Sequence, residues 1–267
     1  MLRCCRKSLF GALRAYSRQA PGHSGALRHG VQPGGSAFGR TFYFGVRPSE
    51  SHSTMSRFVY LHGFASGPAS RKASFFRERL AGRGVALEIP DLAEGNFRGL
   101  TITAQLQVIE RLEPENALVL IGSSMGGYLA ALYAAAHPDR VKRMVLLAPA
   151  FNFYQRWAET LGPEKFALWR EQGEIPVFHY GAERPEGIGY QLMEDAHVYP
   201  AYPDATQPCL ICHGSQDSVV PLAFSQQFAD THSSARLVRF ESGHELTDVL
   251  EAIWEASADF LLEATGQ

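Results

Sequence analysis

Short uninterrupted apolar runs recur along this chain, separated by stretches in which apolar positions return every three or four residues. The first pattern reads as strand buried on both faces, the second as helix laid against a core. Runs at Phe58–Leu61, Val85–Ile89, Ala117–Ile121, Met144–Ala148, Cys209–Cys212 and Leu237–Phe240 predict six strands. Helical spacing predicts helices over Ala69–Leu80, Leu100–Leu112, Gly127–Ala136, Pro221–Ala229 and Glu245–Leu262. Pro68 opens the first helix, Pro90 ends the second strand, and His137-Pro138 closes the third helix. Fully apolar strands alternating with helices imply an α/β fold of three layers, with a mostly parallel sheet covered on both faces. Ligands of such sheets bind beyond the carboxyl ends of the strands, so each loop that follows a strand is a candidate for chemistry.

The alternation fails once, over Phe151–Tyr202. Eleven of these 52 residues are aromatic, roughly twice the whole-chain frequency of 11%. Disordered linkers are poor in aromatics, so this stretch is expected to fold, as helices packed on the core or as an aromatic-rich cap insertion at about 151–202. Its place in the chain favours a cap over the strand ends that walls an apolar pocket.

Composition changes the picture at the N-terminus. The formal charge of the 267 residues is −2, yet residues 1–54 carry eight Lys/Arg and one acid, Glu50. The remaining 17 basic and 26 acidic residues lie in 55–267. The basic, Gly- and Ser-rich segment has little apolar periodicity and is expected to stand outside the folded domain of 55–267 as a disordered or targeting extension. Translation from Met55 is one account of it, which places the protein in the cytoplasm. A transit peptide is the other, with Arg14-Ala15-Tyr16-Ser17 resembling a processing site and the mitochondrial matrix as destination. The near-neutral total gives no reason to expect a nucleic-acid partner. The apolar runs are too short for a membrane-spanning helix. Four cysteines in so long a chain are no disulfide framework, which favours a reducing compartment.

Gly122-Ser123-Ser124-Met125-Gly126 joins a predicted strand to a predicted helix. A nucleophile on so sharp a turn needs small residues two before and two after it. Those positions are Gly122 and Gly126 around Ser124, but Ile121 and Met125 around Ser123, so Ser124 is the candidate nucleophile. A serine hydroxyl needs a general base. Asp217 follows the strand ending at Cys212, and His244 follows the strand ending at Phe240, both on the edge of the sheet that carries Ser124. His244 is the candidate base among ten histidines, and Asp217 the candidate acid that orients it, with Asp195 and Asp248 as alternatives. His62, His179, His197, His213 and His232 are the other histidines weighed. The His62-Gly63-Phe64 turn after the first strand is placed to offer backbone N–H groups to an oxyanion. That role falls to the amides of Phe64 and Met125, with Ala65 as substitute for Phe64. Cys209-Leu210-Ile211-Cys212-His213 has the spacing of a haem attachment site. On a strand, however, residues three apart face opposite sides, and two buried hydrophobes are the better account.

Tyr60-Leu61-His62-Gly63-Phe64, Gly122 through Gly127, Gly214-Ser215-Gln216-Asp217 and Gly243-His244 together resemble the α/β-hydrolase superfamily over most of 57–263, in particular small bacterial esterases that open directly on such a Tyr-Leu-His-Gly-Phe strand. Thr41–Val46 is the one possible extra strand ahead of it. The resemblance implies ester or thioester hydrolysis without metal or organic cofactor. The expected activity is that of a serine carboxylesterase acting on small-molecule esters of short to medium acyl chain. Two alternatives stand beside it. One is an acyl-CoA or acyl-protein thioesterase with the same triad, Arg71 and Lys72 meeting the phosphates of a carrier. The other is a non-catalytic ligand-binding relative. Oligomeric state is not legible.

Overall fold

The structure, a computed structural model, describes residues 56–112 and 117–263. The readings of residues 1–54, Met55 and Thr41–Val46 lie outside the described residues. Six parallel strands form one sheet: β1 (Arg57–Leu61), β2 (Leu87–Glu88), β3 (Leu118–Ser123), β4 (Val141–Leu147), β7 (Cys209–Gly214) and β8 (Ala235–Phe240). Their order is β2-β1-β3-β4-β7-β8. The chain therefore leaves β1 toward one edge and returns beside it as β3, which makes the crevice beyond β1 and β3 the switch point.

Every residue of β3 is buried, because helices cover both faces of the sheet. Even-numbered residues such as Leu118 and Leu120 enter one core layer with α2 (Ile102–Glu110) and α3 (Met125–Ala136). Val119 and Ile121 enter the other, with α1 (Arg71–Ala81) and α7 (Leu250–Leu262). Cys209 and Cys212 fall in opposite layers as unpaired, buried thiols, as the strand period required. Burial raises the pKa of both, that of Cys212 to about 12. The last helix of the sheet domain before β8 is α6 (Leu222–Thr231).

Three predicted elements shrink by more than a residue. The second helix runs Ile102–Glu110 rather than Leu100–Leu112. The second strand is only Leu87–Glu88, an edge strand with one neighbour, and short edges offer little template for stray pairing. The closing helix begins at Leu250 rather than Glu245, because 241–249 is a loop with Leu246 in left-handed backbone, φ 56°.

The insertion lies between β4 and β7. Its first helix, α4 (Phe153–Gln172), is broken at Gly162, whose φ of 72° and ψ of 165° leave the helix just before Pro163. A hairpin follows, β5 (Glu174–His179) against β6 (Arg184–Gly189), and then α5 (Gln191–Ala196). The hairpin was not foreseen. Pro176 and Pro185 argue against strands in a central position, but in a two-stranded sheet each strand is an edge and can turn a missing N–H outward.

Candidate active site

The turn after β3 brings Ser124 to φ 52° and ψ −116°, a conformation few side-chain-bearing residues adopt. The neighbouring glycines make it possible. A Cβ on Gly122 would stand 2.4 Å from the Gly126 carbonyl oxygen. One on Gly126 would stand 2.0 Å from the Leu61 carbonyl oxygen, inside the end of β1. The Ser124 carbonyl accepts N–H bonds from Gly127, Tyr128 and Ala150, so the turn is tied to α3 and to the loop after β4. Ser123 is buried in β3.

The loops after β7 and β8 meet this turn. His244 Nε2 lies 3.0 Å from Ser124 Oγ, and His244 Nδ1 lies 2.7 Å from Asp217 Oδ2. A nitrogen facing a carboxylate carries the hydrogen, so Nδ1–H donates to Asp217 and the Nε2 lone pair faces the hydroxyl. Asp217 Oδ1 accepts from the amides of Val219 and Val220, each at 2.8 Å. Burial disfavours its charge. Hydrogen bonds from His213 and His244, the field of His244 and the Val220 amide outweigh that burial and hold the carboxyl well below the usual carboxylate range.

His213 was passed over in the sequence because it sits only four residues before Asp217. The structure places it fully buried, with Nε2 3.2 Å from Asp217 Oδ2 and 3.0 Å from the Val220 carbonyl. Two acceptors at Nε2 require N–H there, so Nδ1 accepts from Ser225 Oγ at 2.7 Å. The signal that could have found it is its register at the end of β7, beside the acid loop.

The alternatives are engaged elsewhere. Asp195 accepts from the amide and hydroxyl of Thr103 at the start of α2, and Asp248 accepts from Ser242 Oγ. His197 packs edge-on against Tyr154, His179 against Phe97, and His232 stacks on Phe228.

The turn after β1 flanks Ser124. A Cβ on Gly63 would lie 3.5 Å from Ser124 Cβ, and Ala65 takes a positive φ of 53°. Leu92 N–H donates to His62 Nε2 at 3.2 Å, so the ring hydrogen sits on Nδ1, which donates to the Gly63 carbonyl at 3.0 Å. Burial lowers the pKa of His62 and favours this neutral ring. The Gly63 carbonyl and the Phe64 N–H share one peptide unit, so the imidazole fixes the direction in which that N–H points. The amides of Phe64 and Met125 have no acceptor among the described residues. The Phe64 ring packs on Phe97 and Trp157, and the Tyr180 amide at the hairpin tip donates to the Ala65 carbonyl at 2.7 Å. The insertion thus lies against the strand ends.

Lys72 departs from its expected place. It is buried, and its Nζ donates to the Glu245 carbonyl at 2.8 Å, so it cannot meet a carrier's phosphates; Arg71 beside it is exposed. Among the described residues no group of three or more His, Cys, Asp or Glu side chains is arranged to hold a metal, and no helix is long and apolar enough to cross a membrane.

Residues 57–261 match the family described as "Uncharacterised protein family (UPF0227)". The chain belongs to that family. Its family match, its relatives and its structural neighbours together make the chain a member of the α/β-hydrolase superfamily. Alpha/beta hydrolase domain-containing protein 10 from mouse superposes with a TM-score of 0.66 at 22% identity, over 77% of this chain and 89% of that one, a likeness of fold. The pimeloyl-[acyl-carrier protein] methyl ester esterase of Aromatoleum aromaticum is 27% identical over 227 residues, 70% of this chain and 90% of the relative. The mitochondrial palmitoyl-protein thioesterase ABHD10 of Rattus norvegicus is 28% identical over 51% of this chain and 48% of its own.

Proposed function

We propose that the protein is a serine hydrolase of carboxylic esters with short to medium acyl chains. Ser124 attacks the carbonyl as His244 Nε2 takes its proton, and Asp217 holds the imidazole and stabilises the imidazolium. The oxyanion is received by the amides of Phe64 and Met125, each such donor lowering the barrier by about 2.7–4 kcal/mol. Collapse expels the alcohol with a proton from His244 and leaves an acyl-enzyme. Water activated by the same imidazole then releases the acid. The aromatic insertion, resting on Phe64, walls the acyl chain.

The observation that carries this reading is the continuous hydrogen-bonded line from Ser124 Oγ through His244 to Asp217. A fluorophosphonate probe tests it. Wild type is expected to be labelled at Ser124 and to hydrolyse p-nitrophenyl butyrate, and Ser124→Ala to lose both, turnover falling by about 10⁴-fold or more. Labelling that persists in Ser124→Ala sinks the reading. Acyl thioesters are the second substrate class, favoured by the thioesterase among the relatives. Competition between butyryl-CoA and p-nitrophenyl butyrate on one preparation separates the two. A non-catalytic binder has no use for a nucleophile in strained backbone facing a base, and single-turnover acylation with the same ester distinguishes it.

A further inference from the structure

Lys72 lies on α1, 173 residues from the loop it touches, and its side chain is only 10% exposed. An ammonium is rarely withdrawn from water to this degree without a task, since burial penalises its charge. Burial accordingly lowers its pKa, opposed by the carboxylates of Glu245 and Asp217. Its main partner is the backbone carbonyl of Glu245, the residue after His244; the Glu245 carboxylate is largely exposed and stands farther off, at 3.4 Å. The next residue, Leu246, turns through positive φ and buries its side chain in the layer beneath the sheet. A leucine does not choose that backbone unaided. The carbonyl before it points into the protein and finds a buried cation there.

We propose that Lys72 is a positioning residue for catalysis: by anchoring the Glu245 carbonyl from α1, it holds the loop that carries His244 in reach of Ser124. This rests on the triad reading above. The lysine touches no reacting atom, so its loss disturbs the approach of imidazole to hydroxyl and leaves ester binding alone. Methionine keeps the apolar stem and removes both charge and donor; it spares the desolvation of an ammonium but leaves the inward-pointing Glu245 carbonyl without that donor, so some loss of stability accompanies it. Because the anchored loop carries the base, the loss of kcat in folded Lys72→Met is expected to exceed what its lowered stability explains.

The test measures kcat, KM and Tm with p-nitrophenyl butyrate for wild type, Lys72→Met and Lys72→Arg. Lys72→Met, assayed well below its Tm, is expected to lose tenfold or more in kcat with KM within twofold. Lys72→Arg, which keeps a cation and its donors, is expected to stay within threefold of wild-type kcat. A folded Lys72→Met with kcat within twofold of wild type overturns the proposal, as does an equal kcat loss in folded Lys72→Arg, the mark of packing alone. Should the methionine variant fail to fold, ¹⁵N NMR of wild type decides. The Lys72 Nζ resonance is expected to shift when Ser124 is phosphonylated, and an unmoved resonance overturns the role. A wild type that neither hydrolyses the ester nor takes the fluorophosphonate label defeats the triad reading and takes this proposal with it. An active wild type with an equally active Lys72→Met defeats the lysine's role alone.

Discussion

The two sides of the candidate site are built by different physics. Ser124 is held by exclusion: the end of β1, the start of α3 and two glycines leave its backbone one path. His244 and Asp217 are held by attraction, through a web of polar contacts that reaches His213, Ser225, the Val219 and Val220 amides and Lys72. Steric crowding demands particular residue types, whether the crowding atom is near in sequence, as Gly126 is to Gly122, or far, as Leu61 is from Gly126. Polar webs gather groups from distant segments and accept several chemistries in each place. The first kind of support is rigid and fails abruptly. The second fails group by group, steeply at Asp217 and gently at His213.

Substitutions break that comparison at different depths. The largest expected effect belongs to Asp217→Asn, which cannot enforce Nδ1–H on His244; kcat should fall by about 10⁴-fold with the fold intact, read by steady-state kinetics beside circular dichroism. On the steric side, Gly126→Ala drives a methyl into the Leu61 carbonyl, and no flexible side chain is present to yield. A loss of about 3 kcal/mol or more in urea unfolding, with activity falling in step with folded fraction, is the expected result. The smallest effect should come from His213→Leu. It removes one donor to an acid that keeps two amides and His244, for about a tenfold loss in kcat. It should also change the pH dependence of stability. The depressed pKa of Asp217 stabilises the fold fully above the ordinary carboxyl value of about 3.9, and that contribution disappears as pH falls toward the native value. In His213→Leu the native value rises, so the stability gap to wild type should be wider at pH 7 and narrow in acid. A gap that is constant with pH would show that His213 contributes packing alone.

The same division governs what could be read from the chain. The sheet was legible because burial on both faces writes a continuous apolar run at each strand, and Gly122 and Gly126 announced the elbow because nothing larger fits. Asp217 and His244 were found through their loops, since all parallel strands deliver their carboxyl ends to one edge. Their supports were not legible. His213 looked too near Asp217 to matter, yet a turn of the chain at Gly214 folds it back onto the carboxylate. Lys72 looked like an exposed base at the start of a helix, and only the packing of α1 on the His244 loop reveals it as buried. The hairpin of the insertion was hidden by Pro176 and Pro185, and the start of α7 was misplaced because apolar spacing cannot register the left-handed step at Leu246.

The bond from the Tyr180 amide to the Ala65 carbonyl joins the rim of the crevice to its floor. Because donor and acceptor are both main-chain atoms, truncating either side chain leaves rim and floor joined.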